Sequence, residues 1–197
     1  MERKEIQEKR MKGYFIEAAK EILKGEGLKA LSVRNIAEKA GYSFATLYNY
    51  FRDQKDLLYL CLLDFQDECR EFVKSETASA KNGREKIKKI VSAYVKYFVQ
   101  YPGIFEIFFI ESMTDISKKK ETSETICLFL DRLCDEEWEY CVKNGIFTSK
   151  EAAILREEIL FFIHGILLLY NNRMYPGTYQ EFTKRISEYL DRKLSVT

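Results

Sequence analysis

Apolar residues recur at three- and four-residue steps along this chain, and polar, glycine-containing stretches interrupt them at intervals. Phe15, Ala18, Ala19, Ile22 and Leu23 fall on one face of a helix predicted over about 4–24, which Gly25 and Gly27 end. Ser32, Ser43 and Asp53 stand as N-caps before the next three segments, with Asp56 at the third helical position after Asp53. The last of these segments, about 54–75, is long, and a polar linker around 78–83 follows. Beyond it the pattern predicts helices near 84–101, 103–113, 122–144, 149–174 and 178–194. Tyr101-Pro102-Gly103, the polar run 114–121, Lys143-Asn144-Gly145 and Pro176-Gly177 separate them. Two prolines in 197 residues leave the segments uninterrupted, so the fold class is all-α.

The segment from Val33 to Phe51 carries the most specific pattern. Ala37 is small, Gly41 follows four residues later, and Leu47 comes six after that. This spacing lets two short helices cross steeply: Gly41 takes the left-handed turn, Ala37 leaves room at the crossing and Leu47 fills it. Ser43 caps the second helix, whose outward positions are Phe44, Ala45, Thr46, Tyr48, Asn49 and Tyr50. An ordinary helical hairpin would share the turn. Hydroxyls, an amide and small or aromatic contacts on the outer face instead suit the major groove of DNA.

Composition narrows the class without changing it. With 46% hydrophobic, 14% aromatic and 32% charged residues, the chain is globular and large enough to bury a core. The net charge of +1 conceals an asymmetry: residues 1–60 hold 12 Lys/Arg against 9 Asp/Glu (+3), and residues 61–197 hold 20 against 22 (−2). A basic head on a near-neutral body is the expected distribution for nucleic-acid binding at one end. The start, MERKEIQEKR, has no apolar signal core, and the longest apolar run, 159–170, is too short to span a bilayer, so a cytoplasmic protein with reduced thiols and no membrane partner is expected. One histidine, no glycine-rich phosphate loop, no nucleophile motif and no workable metal-ligand cluster argue against an enzyme, a metal or a cofactor. Asp135-Glu136-Glu137 reads as charge on a solvated helix face, and Lys118-Lys119-Lys120 as a solvated loop.

The segment Ile22–Leu58, ILKGEGLKALSVRNIAEKAGYSFATLYNYFRDQKDLL, resembles the N-terminal signature of TetR/AcrR-type transcriptional regulators. The resemblance is strong over about 40 residues; beyond them only helix count, helix length and the Tyr-Pro-Gly-Ile-Phe break agree. It implies a homodimer of about nine helices, with a helix-turn-helix head over 1–52 and a ligand-binding and dimerisation body over 53–197. The usual role is that of a repressor whose body binds a small inducer. Carried over by position, Thr46, Tyr48 and Tyr50 are implied phosphate contacts, and Asn49, Phe44 and Ala45 are candidates for base edges. Ser43 completes the expected DNA-binding set, and Arg34, near the start of the second helix, is placed to reach a phosphate or a guanine. The chain departs from the family where a phosphate-binding lysine is usual: that place holds Gln54, followed by Lys55. Either Gln54 makes a neutral contact helped by the helix N-terminus or Lys55 takes over. Arg3, Lys4, Lys9, Arg10 and Lys12 either supplement phosphate binding or form a solvated first turn.

In the body, Ile159–Tyr170 is apolar on nearly every side, which calls for burial on more than one face. Gly165 allows close approach of a partner helix, and the amphipathic last helix completes a homodimer interface built from the last two helices, as in the family. Most body aromatics are core. The residues expected to line a cavity for a hydrophobic or aromatic ligand are Tyr94, Phe98, Phe105, Phe109, Cys134 and Trp138. His164 reads as a neutral, hydrogen-bonded core histidine, with ligand sensing as the alternative. Cys127, Cys134 and Cys141, seven apart, read as core filling on one helix face. A DNA-binding protein whose body binds a protein partner instead of a small molecule is the competing function.

Overall fold

The N-caps expected from the sequence are in place and fix where the helices begin. Ser32 Oγ accepts from the Asn35 N–H at 3.1 Å, and Ser43 Oγ accepts from the Thr46 N–H at 3.1 Å. Asp53 Oδ1 accepts from the N–H groups of Lys55 and Asp56 at 2.8 and 3.0 Å. Thr148 and Glu151 bond reciprocally in a capping box. This computed structural model describes residues 3–109, 124 and 126–195. Its helices are α1 (Arg3–Gly25), α2 (Val33–Lys39), α3 (Phe44–Tyr48), α4 (Gln54–Thr77), α5 (Arg84–Gln100), α6 (Pro102–Phe109), α7 (Phe129–Leu133), α8 (Asp135–Lys143), α9 (Ser149–Asn171) and α10 (Tyr179–Leu194). A single 3-10 turn, Leu28–Ala30, joins α1 to the Ser32 cap. The all-α class holds, and no strand occurs among the described residues. The helix expected over 122–144 is broken, because the chain turns at Leu128 and again at Cys134 between α7 and α8. The expected loop 114–121 and its lysine run lie outside the described residues, as does the end of the helix expected over 103–113.

The chain forms two compact units, residues 1–68 with 101–126 and residues 69–100 with 127–197. In the first, Phe15, Ala19, Ile22, Ile36, Leu47, Leu57 and Phe65 make a core with almost no exposure. Two features pin its helices. Lys20 on α1 is buried, yet its ammonium meets Glu68 at 2.7 Å, Glu17 at 3.0 Å and Asp64 at 3.3 Å. Burial works against that charge, but the bonds from Glu68, Glu17 and Asp64 outweigh it and hold the pKa above the usual lysine range. The second feature is Gly103. A Cβ at this position would lie 2.6 Å from the Leu23 carbonyl oxygen and 2.9 Å from Gly27 Cα, so only glycine lets the first turn of α6 sit on the end of α1.

The second unit packs α5, α9 and α10 through Tyr94, Phe98, Ile163, Leu167, Phe182 and Ile186. Tyr170 stacks on Phe182 at 4.2 Å and Phe162 on Tyr189 at 3.7 Å. The acidic run is not the solvated face it was expected to be. Glu137 is buried, accepting the Gly83 N–H at 2.5 Å and pairing with Lys86 at 2.8 Å, while Asp135 pairs with Arg156. Arg156 also grips Asp131 through two bonds of 2.7 Å. These carboxylates therefore tie α7 and α8 to α9 and α8 to the start of α5, a use that net helix polarity does not reveal. His164 is the neutral core residue expected: its Nε2 lies 2.8 Å from Tyr94 Oη, and burial pushes its pKa down to about 4. Cys134 and Cys141 are buried, but Cys127 is exposed, because the turn at Leu128 takes it off the face the other two share. Burial raises the Cys61 and Cys69 thiols to about 12, which leaves little thiolate for redox chemistry.

Candidate nucleic-acid interface

The turn between α2 and α3 has the geometry its spacing requires. Gly41 has φ 78°, the Tyr42 N–H donates to the Ala37 carbonyl at 2.9 Å, and the Gly41 N–H donates to Glu38 at 3.0 Å. These are the paired closing bonds of a Schellman motif, and a β-branched residue at 41 would be strained. Ile36, Ala37 and Leu47 are fully buried beneath the crossing. Phe51 is also buried, edge-on to Phe15 at 6.1 Å. The outward side of α3 is thereby fixed in direction, since its inward side has nowhere else to go.

That outward side carries the residues singled out by pattern. Ser43, Phe44, Ala45, Tyr48 and Asn49 are exposed, with Phe44 at 61% and Tyr48 at 50%, while Thr46 and Tyr50 are half-buried. Ser43 and Thr46 share a hydroxyl–hydroxyl bond of 2.9 Å, so both are tied into the cap. Tyr50 leans on Phe15 at 6.3 Å. The Asn49 amide is bonded to nothing among the described residues, although its backbone closes α3. Arg34 is exposed at the start of α2 and has no ion partner among the described residues. Gln54 is half-buried, and its Nε2 reaches the Leu31 carbonyl at 3.4 Å. Asp53 already occupies the N–H groups of Lys55 and Asp56. It leaves the Gln54 backbone N–H untaken, and Lys55 is exposed beside it, so both phosphate-contact alternatives remain on this turn. Sequence reasoning missed Arg52, exposed beside them and also without an ion partner among the described residues. Its position directly after the buried Phe51 was the available signal.

Residues 15–59 match the family model for bacterial regulatory proteins of the tetR family. Over those residues the chain carries the N-terminal region that this family shares. TetR-family proteins are DNA-binding transcription regulators, not enzymes. Solved structures with the same fold include a TetR-family regulator from Syntrophomonas wolfei, 17% identical with a TM-score of 0.72, the match covering 96% of this chain and 97% of the other. The fatty acid degradation regulator FadR from Bacillus halodurans is 18% identical with a TM-score of 0.70, at 93% and 94% coverage. RolR in complex with resorcinol is 13% identical with a TM-score of 0.70, at 97% and 90% coverage. No curated protein matches the sequence. No described helix is long and apolar enough to cross a membrane.

The expected ligand residues fall in two groups. Tyr94, Phe98, Cys134 and Trp138 are buried in the second unit, with Tyr94 edge-on to Phe98 at 4.7 Å. Phe105 and Phe109 belong to the first unit, 4.9 Å apart. Of the six, Trp138 borders a groove of about 790 Å³ formed by α7, α8 and α9, together with Cys127, Asp131, Arg156 and Phe161. Pattern reasoning missed Cys127 and Phe161 as lining, because both sit in runs that look like core. Phe161 is instead 65% exposed, and Ile154, Leu168 and Leu169 are also exposed along α9. A Cβ at Gly165 would meet nothing within 4 Å.

Proposed function

We propose that this chain is a dimeric repressor that binds a palindromic operator through α3 and is released by a small hydrophobic or aromatic ligand. The observation that carries the proposal is the rigidly capped α3 with the Asn49 amide exposed between Phe44, Ala45 and Tyr48. Asn49 reads adenine, Phe44 and Ala45 meet thymine methyls, and Thr46, Tyr48 and Tyr50 position the duplex with Ser43. Arg34, Arg52 and Lys55 add charge contacts to phosphate, with Gln54 bracing the turn.

Residues 1–52 act as the DNA-binding head, and residues 53–197 bind ligand and dimerise. The exposed stripe of Ile154, Phe161 and Leu168, seven apart with Gly165 between, supports pairing through α9 and α10. Pairing holds two copies of α3 about 34–36 Å apart, as successive major grooves require. The apolar residues Tyr94, Phe98, Cys134 and Trp138 in one unit, and Phe105 and Phe109 in the other, support an apolar ligand, and RolR, which shares the fold, was solved with resorcinol. The ligand can shift release only by its differential affinity for the two states. The setting is the cytoplasm.

Selection of bound duplexes from a random pool tests the reading. The expected result is an enriched dyad bound by a dimer, with log K falling against log salt by about 0.9 per phosphate contacted. Recovery of no dyad rejects operator recognition. A dyad bound by a body that retains a protein from extract, and no small molecule, rejects the inducer.

A further inference from the structure

The part of α1 before Phe15 has no role in the core of the head. Residues 3–10 are exposed, residues 11–13 are partly so, and burial begins at Phe15. The segment is nonetheless sorted by charge. Arg3, Gln7, Arg10 and Tyr14 follow at steps of four, three and four, so they lie on one face of α1. With Tyr42 they border a groove of about 440 Å³. Helical geometry puts Glu5 and Glu8 on the opposite side, where Glu8 binds Lys12 at 2.8 Å. The next acids along the arginine face, Glu17 and Glu21, are matched by Lys20 at 3.0 Å and Lys39 at 3.1 Å. The face therefore presents two guanidiniums with no acid among them, and neither has an ion partner among the described residues.

Tyr42 joins this face to α3. Its ring lies 6.1 Å from Tyr14 and 5.5 Å from Phe15, and the next residue, Ser43, is the cap of α3. Tyr42, Ser43 and Phe44 are all exposed, so one continuous surface runs from the recognition helix along α1.

We propose that this surface is a second DNA-contacting element, which grips the sugar-phosphate backbone just outside the half-site that α3 reads. It rests on the reading of α3 as the recognition helix. Arg3 and Arg10 take phosphates, for which the planar guanidinium fork is suited. The two arginines are seven residues apart, about 10 Å along the helix, which lets each take a different phosphate of one strand. Gln7 bonds between them, and Tyr14 and Tyr42 pack against the sugars. The element adds affinity and sets how much flanking duplex the protein covers. It adds no base readout.

The test uses the full chain and the duplex recovered by selection at two lengths, one ending at the edges of the dyad and one continued by about a helical turn on each side. The wild type is expected to bind the longer duplex about tenfold more tightly, with a salt slope steeper by about 2 to 4. The Arg3→Ala/Arg10→Ala variant is expected to lose both differences while binding the short duplex as the wild type does. Lys74→Ala/Lys150→Ala removes the same charge from exposed positions elsewhere and is expected to keep both differences. If the wild type binds the two lengths equally, or the arginine variant keeps the length dependence, the α1 element is overturned and α3 recognition stands. If the wild type binds neither length, recognition by α3 falls and takes this element with it.

Discussion

Two surfaces of this chain hold large apolar side chains in water, and they differ in what accompanies them. On α3, Phe44 and Tyr48 alternate with Ala45 and the Asn49 amide, and Arg34, Arg52 and Lys55 are exposed close by in sequence. On α9, the exposed residues from Phe161 to Leu169 are Phe161, Gly165, Leu168 and Leu169, with no charge or amide among them. A polyanion whose groove edges carry donors and acceptors needs the first kind of surface. A second copy of the same helix needs only the second, where shape and apolar area suffice. Exposure of hydrophobic residues therefore does not by itself name the partner. The polar residues between them do.

The largest expected effect comes from putting a charge on the α9 stripe. Phe161→Glu enters a two-fold contact twice, so it sets like charges close together. Sedimentation equilibrium is expected to report a monomer, and affinity for the palindrome is expected to fall by about 100-fold or more as avidity is lost. Helix content should be unchanged, because Phe161 is 65% exposed in the single chain. A Phe161→Glu protein that remains a dimer moves the interface elsewhere.

A change inside the first compact unit sharpens the comparison by touching neither surface. Gly103→Ala drives a Cβ against the Leu23 carbonyl at 2.6 Å, and backbone atoms cannot swing aside as a side chain would. The expected cost is about 2–3 kcal/mol, read as a Tm lower by several degrees. The dimer should persist, and the sequence preference for DNA should be kept by whatever fraction is folded.

The two surfaces were not equally legible in the sequence. The α2–α3 turn was readable almost to the atom, because Ser32, Gly41, Ser43 and Asp53 act through local backbone chemistry that residue type announces. The all-α class followed from periodicity in the same way, as did the helix spans outside 103–113 and 122–144. What failed was long-range. Glu137 looked like a surface acid and is buried against Gly83 and Lys86, partners more than fifty positions away in sequence. Lys20, which periodicity does not single out, gathers three carboxylates, two of them on α4. Cys127 and Phe161 carry core chemistry but are exposed, since a turn at Leu128 and an unpaired helix face decide their fate. The close approach behind Gly103 was visible only as a helix break. Periodicity tells which face is apolar, but not what covers it.

On the α3 surface the expected effect is smaller and selective. Asn49→Ala removes a side chain with no partner among the described residues, so folding should be untouched. Binding to the selected dyad is expected to weaken by about 1–3 kcal/mol through loss of a bidentate base contact, with non-specific binding and the salt slope unchanged. Arg52→Ala should do the reverse, weakening all duplexes alike and lowering the salt slope by about 1 per protomer. Gel-shift titrations at several salt concentrations separate the two. If Asn49→Ala weakens every sequence equally, its amide lies on backbone and not on a base.

The smallest effect concerns the inner side of α9, directly behind the stripe. His164 sits next to Gly165, bonded to Tyr94 Oη at 2.8 Å, with burial holding its pKa near 4. An unfolded chain would protonate this histidine as pH falls through about 6.5, whereas the folded chain resists until about 4. The unfolded state thus binds more protons in that window, and stability falls with decreasing pH. From pH 7.5 to 5.5 the group should cost about 1 kcal/mol. Paired carboxylates such as Glu68 are held below their usual range and titrate beneath this window, so they do not mask it. Urea unfolding at several pH values checks the sign: His164→Gln should flatten the dependence between pH 7.5 and 5.5 while leaving the acid limb below it. If the wild type shows no slope there, the imidazole is reached by water, and the inner side of α9 is as open as its outer one.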